Sequence, residues 1–144
     1  MRLLQDWQFG AALIVAPVVW ILSGQFLPTT PNIGWPLDSP DRFLILVVLY
    51  PIFEELAFRG WLQSTLYSHS FGHRQLAGIS FANLITSLIF TGLHFLYHSP
   101  LWATFVLIPS LLFGYFRDRY KSVKPAIILH IFYNCGNYWV FGAT

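Results

Sequence analysis

Residues 44–63 read LILVVLYPIFEELAFRGWLQ, an apolar stretch that contains three charged side chains, Glu54, Glu55 and Arg59. A helix needs ~20 predominantly apolar residues to cross the hydrocarbon core of a bilayer, and this stretch is long enough. A charged side chain near the bilayer centre costs about 3 kcal/mol or more, so such side chains usually serve a function. The stretch therefore predicts a transmembrane helix that carries a functional site.

The composition of the whole chain agrees with a membrane protein. Hydrophobic residues make up 56% and charged residues 10% of the 144 residues, whereas soluble domains average about 25% charged residues. Many of the six Trp, seven Tyr and 14 Phe lie near the ends of apolar runs, as expected of the aromatic belts at membrane interfaces. The expected surroundings are a lipid bilayer, and the net charge of +2 is too small to suggest a nucleic-acid partner.

Five apolar segments look long enough to span the membrane. We therefore predict an all-α fold, a polytopic bundle of about five transmembrane helices with a four-helix core. We expect one membrane-embedded domain over residues 1–144, in which 1–42 form an anchor helix and linker and 43–144 form the core. The predicted spans cover residues 9–26, 43–66, 77–97, 101–116 and 126–141.

The basic residues give the bundle an orientation. With five alternating spans, Arg2, Arg74 and the basic segment RDRYKSVK at 117–124 all fall on one side of the membrane. Cytoplasmic loops carry an excess of Lys and Arg. The pattern predicts a cytoplasmic N-terminus and a C-terminus on the outside.

Glu55 and Arg59 are four residues apart, so on a helix they share a face and can form an ion pair. Glu54 points about 100° away from that face. We interpret Arg59 as the partner that holds Glu55, while Glu54 stays available for chemistry. The alternative is a buried ion-pair network that only ties helices together.

Polar residues also occur in the third and fifth predicted spans. His94 follows Phe90 by one turn, and Gly92 between them permits a close approach by a neighbouring helix. In the fifth span, His130 and Asn134 share one face. Taken alone, each could be a packing residue or an interhelical hydrogen-bonding device.

Other polar residues are weaker candidates. Three histidines lie in polar loops or at a helix end, where we expect them to be solvated: His69, His73 and His98. Three polar residues of the third span are expected to serve helix packing: Asn83, Thr86 and Ser87.

The combination of these groups is more specific than any single one. Buried polar side chains need partners, so we expect the two carboxylates, the Arg, the two His and the Asn to share one interior site. A carboxylate beside a histidine can take a proton from water as a general base. A second His and an Asn amide can donate hydrogen bonds to an oxyanion. These groups suffice to hydrolyse an amide bond without a Ser or Cys nucleophile.

The three motifs, in order, resemble a known family. EExxxR (Glu54, Glu55 and Arg59), FxxxH (Phe90 to His94) and HxxxN (His130 to Asn134) are similar to those of the CAAX protease and bacteriocin-processing family, called CPBP or Abi. The resemblance covers residues 43–140 and includes the FRG sequence after the glutamates and the basic loop before the fifth span.

The resemblance implies a metal-free glutamate intramembrane protease with no cofactor. Glu54, assisted by His94, would activate water, and His130 with Asn134 would stabilise the oxyanion, while Glu55 and Arg59 would support the site. The chain is shorter than the larger members of the family, and it resembles small prokaryotic members that process exported proteins carrying a C-terminal sorting helix. The expected partner is thus a membrane-anchored protein or peptide substrate in a prokaryotic cytoplasmic membrane.

Two rival functions stay open at this point. One is a zinc hydrolase that uses His94, His130 and Glu54 or Glu55 as ligands, since three protein ligands and a water form a normal catalytic zinc site. The other is a non-catalytic scaffold, such as a bacteriocin-immunity protein. A ruler of 1.5 Å per residue also places His94 and His130 about 15 Å apart in depth, which a shifted start of the third helix or strong tilting would have to reconcile.

Overall fold

The computed structural model describes residues 3–142, including every side chain among them except that of Leu4. The predicted all-α class is confirmed, since helices account for nearly all regular structure there. A 3₁₀ turn at Leu3–Gln5 precedes nine α-helices, namely α1 Trp7–Ser23, α2 Trp35–Asp38, α3 Pro40–Phe43, α4 Tyr50–Glu55, α5 Gln63–Tyr67, α6 Phe81–His94, α7 Pro100–Phe105, α8 Leu107–Tyr120 and α9 Lys124–Phe141.

The contacts divide the chain into two compact units. The terminal unit comprises the chain up to Ile52 and from Ile128 onward, and the central unit comprises Phe53–Ile127. The boundaries fall within α4 and α9. The single domain expected over residues 1–144 stays a prediction, and each unit is described by itself below.

In the terminal unit, α1 packs against α9. Asp6 caps α1 by accepting a hydrogen bond from the amide of Gln8 at 3.0 Å, and the helix continues past Pro17. The hydroxyl of Tyr133 donates to the carbonyl oxygen of Ala12 at 2.9 Å. One helical turn further along α9, a Cβ on Gly136 would collide with the Trp20 ring, so glycine is required for this contact.

The Pro-rich linker at 28–41 completes the end of α9. The amides of Thr30 and Asn32 donate to the carbonyl oxygens of Val140 and Trp139 at 3.1 and 3.2 Å. The last carbonyls of a helix have no partner within it, so the linker supplies donors to them. The segment that follows α1 and the end of α9 therefore lie together.

Residues 40–67 are helical throughout but not uniformly α-helical. Two π-helical segments, π1 Leu44–Leu49 and π2 Leu56–Leu62, lie on either side of α4. The wider turn is visible at their ends, where the amide of Tyr50 donates to Ile45 and that of Gln63 to Phe58, each five residues back. The glutamate pair thus closes a short α-helix between two rare segments of a kind that is often found at functional sites.

The predicted start of the third span at residue 77 is wrong. Strands β1 Gln75–Leu76 and β2 Ile79–Ser80 pair in an antiparallel hairpin. Its two-residue turn has positive φ at Ala77 (51°) and Gly78 (82°), the backbone signature of a tight hairpin turn. Helix α6 starts only after Ser80, whose hydroxyl accepts the Asn83 amide at 3.0 Å.

Helix α6 packs against α8 in the central unit, and among residues 3–142 no neighbouring helix uses the close approach that Gly92 permits. A Cβ added to Gly92 would meet no atom within 4 Å, whereas a Cβ on Gly114 would collide with the side-chain amide of Asn83. The glycine that allows α6 and α8 to approach closely is therefore Gly114 of α8 and not Gly92 of α6. Asn83 and Ser87 are fully buried, and Ser87 donates to the Asn83 side-chain oxygen at 3.0 Å, which confirms their expected packing role.

The five predicted spans are only partly reflected in helix lengths. Of the residues that the structure describes, one helical run, Pro100–Tyr120, is long and apolar enough to cross a membrane, and Trp7–Ser23 and Phe81–His94 are apolar but shorter. Several large apolar side chains of these helices are exposed, for example Ile14 at 69%, Leu88 at 52% and Ile108 at 68%. Such faces suit lipid, while the number of spans and their orientation stay predictions.

Candidate active site

The ion pair predicted between Glu55 and Arg59 of the EExxxR motif is present. Glu55 Oε2 lies 3.4 Å from Arg59 Nε, and neither side chain has any exposed surface. Burial of two charges is costly, and the cost is offset only by close pairing and additional hydrogen bonds. Arg59 therefore needs partners beyond Glu55.

Helix α8 supplies these partners. Arg59 Nη2 donates to the carbonyl oxygen of Ser110 at 3.0 Å and to its hydroxyl at 2.7 Å. The guanidinium also lies over the ring of Phe90, with Cζ 5.5 Å from the centroid, a geometry that gives a cation–π attraction. Arg59 is thus held by the Glu55 carboxylate, by two oxygen atoms of Ser110 and by the Phe90 ring.

Phe90 joins the first motif to the second. Its ring centroid lies 4.5 Å from that of His94, so the same ring contacts both Arg59 and His94. The first residue of FxxxH thereby brings the histidine into the neighbourhood of the buried pair within the central unit.

The backbone sets the protonation pattern of His94. Its Nδ1 lies 2.8 Å from the carbonyl oxygen of Phe90. A carbonyl can only accept a hydrogen bond, so Nδ1 donates in this contact, and Nε2 is the nitrogen that bears the lone pair whenever the ring is neutral. His98 stacks on His94 with centroids 5.6 Å apart. Like His69 and His73, His98 is exposed, as expected for solvated histidines.

Glu54 is half-buried, in contrast to the fully buried Glu55 next to it. Both close α4, and the one-residue offset turns their side chains to different faces of the helix. The difference in exposure agrees with the expected division, in which Glu55 is held by Arg59 and Glu54 is accessible.

The third motif lies on α9. His130 is buried, with 6% of its surface exposed, and the half-buried Asn134 donates from Nδ2 to the carbonyl oxygen of Leu46 at 3.1 Å. That carbonyl lacks its usual π-helical donor because the residue five positions on is Pro51, which has no N–H. The Tyr50 amide cannot replace it, since it donates to Ile45. Asn134 thus donates a hydrogen bond to the Leu46 carbonyl oxygen, which Pro51 cannot do.

The six predicted site residues divide between the two units. Glu54, Glu55, Arg59 and His94 belong to the central unit, and the structure brings the last three together around Phe90. His130 and Asn134 belong to the terminal unit. Convergence of all six on one cavity stays a prediction.

Sequence reasoning missed two residues next to the ion pair, Gln63 and Ser110. Both are fully buried, and Gln63 Nε2 donates to the carbonyl oxygen of Gly114 at 3.0 Å. A signal for Gln63 was available, because it follows Arg59 by one turn at the end of the same apolar stretch. Ser110, an ordinary serine in an apolar helix, carried none.

A cavity of about 370 Å³ occurs in the terminal unit, where the linker meets the end of α9. It is lined by Thr30, Asn32, Trp35, Ser39, Arg42, Tyr138 and Gly142. None of the six motif residues lines it, so it is not the site that the motifs predict.

The structure gives no support to the zinc alternative. Within residues 3–142, no group of three or more His, Cys, Asp or Glu side chains is placed to hold a metal ion. The ligand set of His94, His130 and a glutamate therefore remains a hypothesis from the sequence.

The sequence profile of a family described as type II CAAX prenyl endopeptidase Rce1-like matches residues 37–136. The UPF0177 protein YbdI of Lactococcus lactis subsp. lactis (strain IL1403) is 35% identical over 94 residues, which cover 64% of this chain and 44% of that protein. The chain thus spans less than half the length of this relative. No solved structure gives a significant match.

The profile match covers well over half of the chain and includes all three motifs. It confirms the resemblance to the CAAX protease and bacteriocin-processing proteins and favours a membrane protein. The chain belongs to the Rce1-like family of type II CAAX prenyl endopeptidases.

Proposed function

We propose that the protein is an intramembrane endopeptidase that cleaves a membrane-associated protein near its C-terminal membrane segment or its C-terminus. Family membership supports a peptidase. The observation that carries the proposal is the fully buried Glu55–Arg59 pair with Phe90 in contact with both Arg59 and His94. It joins the first two motifs into one structural feature, beside the half-buried Glu54.

In the proposed reaction, Glu54 acts as the general base. Glu54, with His94 Nε2 as a second acceptor, takes a proton from water as the water oxygen attacks the peptide carbonyl carbon. The resulting oxyanion accepts hydrogen bonds from His130 and Asn134. The carbon–nitrogen bond then breaks, and protonated Glu54 returns its proton to the departing amine, which leaves an acid and an amine.

Glu55 and Arg59 have a supporting role in this proposal. Glu55 is fully buried and is held by Arg59, so it is poorly placed to meet water, and we assign the base to the half-buried Glu54. The pairing of Glu55 with Arg59 keeps the end of α4 in one orientation, which sets the direction of the neighbouring Glu54. The convergence of these groups with His130 and Asn134 in a water-accessible cavity is part of the proposal.

The proposed substrate is an exported protein with a C-terminal sorting helix, in a prokaryotic cytoplasmic membrane with the N-terminus of the enzyme inside. The resemblance of the motifs to those of prokaryotic processing proteases supports this class. A prenylated CAAX substrate is the alternative for a source that makes prenylated proteins.

The decisive experiment compares Glu54→Gln with the wild type in liposomes. Two probes are used: a single-span reporter with a C-terminal apolar helix and basic tail, and a farnesylated CAAX peptide. We expect the cleavage rate to fall about 100-fold or more, the usual contribution of acid–base catalysis. The melting temperature should stay unchanged, since a neutral amide is cheaper to bury than a carboxylate.

The matched control is Asp41→Asn, the same chemical change at an exposed carboxylate, which should leave cleavage unchanged. Wild-type cleavage should also survive a strong chelator. If the chelator removes zinc from the protein and cleavage is lost with it, the zinc hydrolase is favoured. Absence of cleavage in the wild type with both probes would favour a scaffold, and an active Glu54→Gln protein would reject Glu54 as the base.

A further inference from the structure

Gln63 is a fully buried glutamine in a chain of which 10% of the residues are charged. It lies one turn after Arg59 and two turns after Glu55, and all three side chains have no exposed surface. A buried amide needs a hydrogen-bonding partner, and Gln63 finds one in the carbonyl oxygen of Gly114 at 3.0 Å.

The contacts of Arg59 and Gln63 on α8 have the same spacing. Arg59 donates to Ser110, and Gln63, four residues later, donates to Gly114, also four residues later. We call these two contacts the α8 ladder. The residue number increases by four on both helices from one contact to the next. The helix that follows the glutamates therefore lies beside α8 and runs parallel to it.

Asn83 of α6 holds α8 at the same level along the α8 axis as the two contacts of the ladder. Its Nδ2 donates to the carbonyl oxygen of Leu111 at 2.8 Å, between the two contacts of the ladder. The space that a side chain at Gly114 would fill is occupied by the Asn83 amide. Helix α8 is thus held against α6 while it receives Arg59 and Gln63.

Two contacts one turn apart restrain more than a single one does. Arg59 alone would let its helix pivot about Ser110, whereas the additional contact of Gln63 fixes both the rotation and the height of π2 against α8. A π-helical segment is rare, and the contacts of Arg59 and Gln63 with α8 restrain π2 from outside. Because π2 directly follows Glu55, its rotation sets the directions of the two carboxylates.

We infer that Gln63 is a positioning residue for the peptidase site, one that holds the glutamate pair in its productive orientation through the α8 ladder. This inference rests on the proposed function. It assigns Gln63 no contact with substrate and no proton transfer.

The test is Gln63→Met, which keeps the length and volume of the side chain and removes its donor. The control is Gln25→Met, the same change at an exposed glutamine. With the same reporter in liposomes, and below the melting temperature of each variant, we expect Gln63→Met to lower kcat about 10-fold with KM unchanged. Gln25→Met should change neither. Hydrogen exchange of the amides in residues 56–62 should accelerate in Gln63→Met alone.

The outcomes separate this inference from the proposed function. An inactive wild type would reject the peptidase, while accelerated exchange in Gln63→Met would still support the ladder. An active Gln63→Met protein with wild-type kcat would overturn the positioning role, whether or not its melting temperature falls. If Gln63→Met does not fold, Ser110→Ala weakens the other contact of the ladder, and an unchanged kcat there would overturn the inference equally.

Discussion

The helical residues 40–67 are anchored in two chemically different ways. In the central unit, the anchor is charged: Arg59 is fully buried, paired with Glu55 and bonded to Ser110 of α8. In the terminal unit, the anchor is neutral: the half-buried Asn134 donates one hydrogen bond to the Leu46 carbonyl. Removal of one partner from the charged anchor should lower the free energy of unfolding strongly, because it leaves a buried charge without its counter-charge. Removal of the neutral anchor should cost only one unsatisfied hydrogen-bond acceptor.

The largest expected effect comes from Glu55→Gln, which leaves Arg59 buried without its counter-charge. Breaking a buried ion pair from one side costs about 3–5 kcal/mol. We expect this loss in the free energy of unfolding, measured by denaturant titration in detergent, together with a loss of cleavage. The comparison variant is Glu54→Gln, which should keep its stability. Equal losses in the two variants would show that the roles of the carboxylates are assigned wrongly.

A smaller effect is expected from Asn134→Leu, which keeps a similar volume and removes the donor to Leu46. An unmet carbonyl costs about 1–3 kcal/mol, and the partial exposure of Asn134 places the expected loss at the lower end. The same denaturant titration measures it. A loss as large as that of Glu55→Gln would contradict the distinction between the two anchors.

The smallest effect is a partial recovery. Pro51→Ala gives residue 51 an N–H that can serve the Leu46 carbonyl, so in the Asn134→Leu background it should restore about 1 kcal/mol. With Asn134 intact, the same change should restore nothing, because the acceptor already has a donor. A double-mutant cycle of unfolding free energies measures this coupling, and additive effects would exclude it. Cleavage should stay low in the double variant if Asn134 also serves the oxyanion.

The parts of the site that depend on local spacing could be predicted from the sequence. The Glu55–Arg59 pair follows from a four-residue separation on a helix, and the structure confirms it. The all-α class follows from the apolar runs. The contact of Phe90 with both Arg59 and His94 could be predicted only in part. The motif gives the spacing of Phe90 and His94, but it does not show that Arg59 lies against them.

The errors came from features that helical periodicity does not show. Alanine favours helices, yet Ala77 forms a hairpin turn with Gly78. A search for apolar runs does not detect such a turn. Gly92 permits close packing, yet the glycine that lies against a neighbouring helix is Gly114, and the sequence pattern does not distinguish the two. The π-helical segments could not be found from the period, and the donor to Leu46 lies 88 residues away in the sequence.

The π-helical segments bear on how relatives should be aligned. A π-helical turn is equivalent to an α-helical turn with one residue inserted, so a relative that lacks one residue in 44–49 can follow the same path with a plain α-helix. A deletion in 60–62 would likewise leave the Glu55–Arg59 spacing intact, whereas one in 56–58 would destroy it. Single-residue gaps are therefore expected on either side of the EExxxR motif and not inside it, and an alignment that forbids gaps in helices would misplace the residues beyond them.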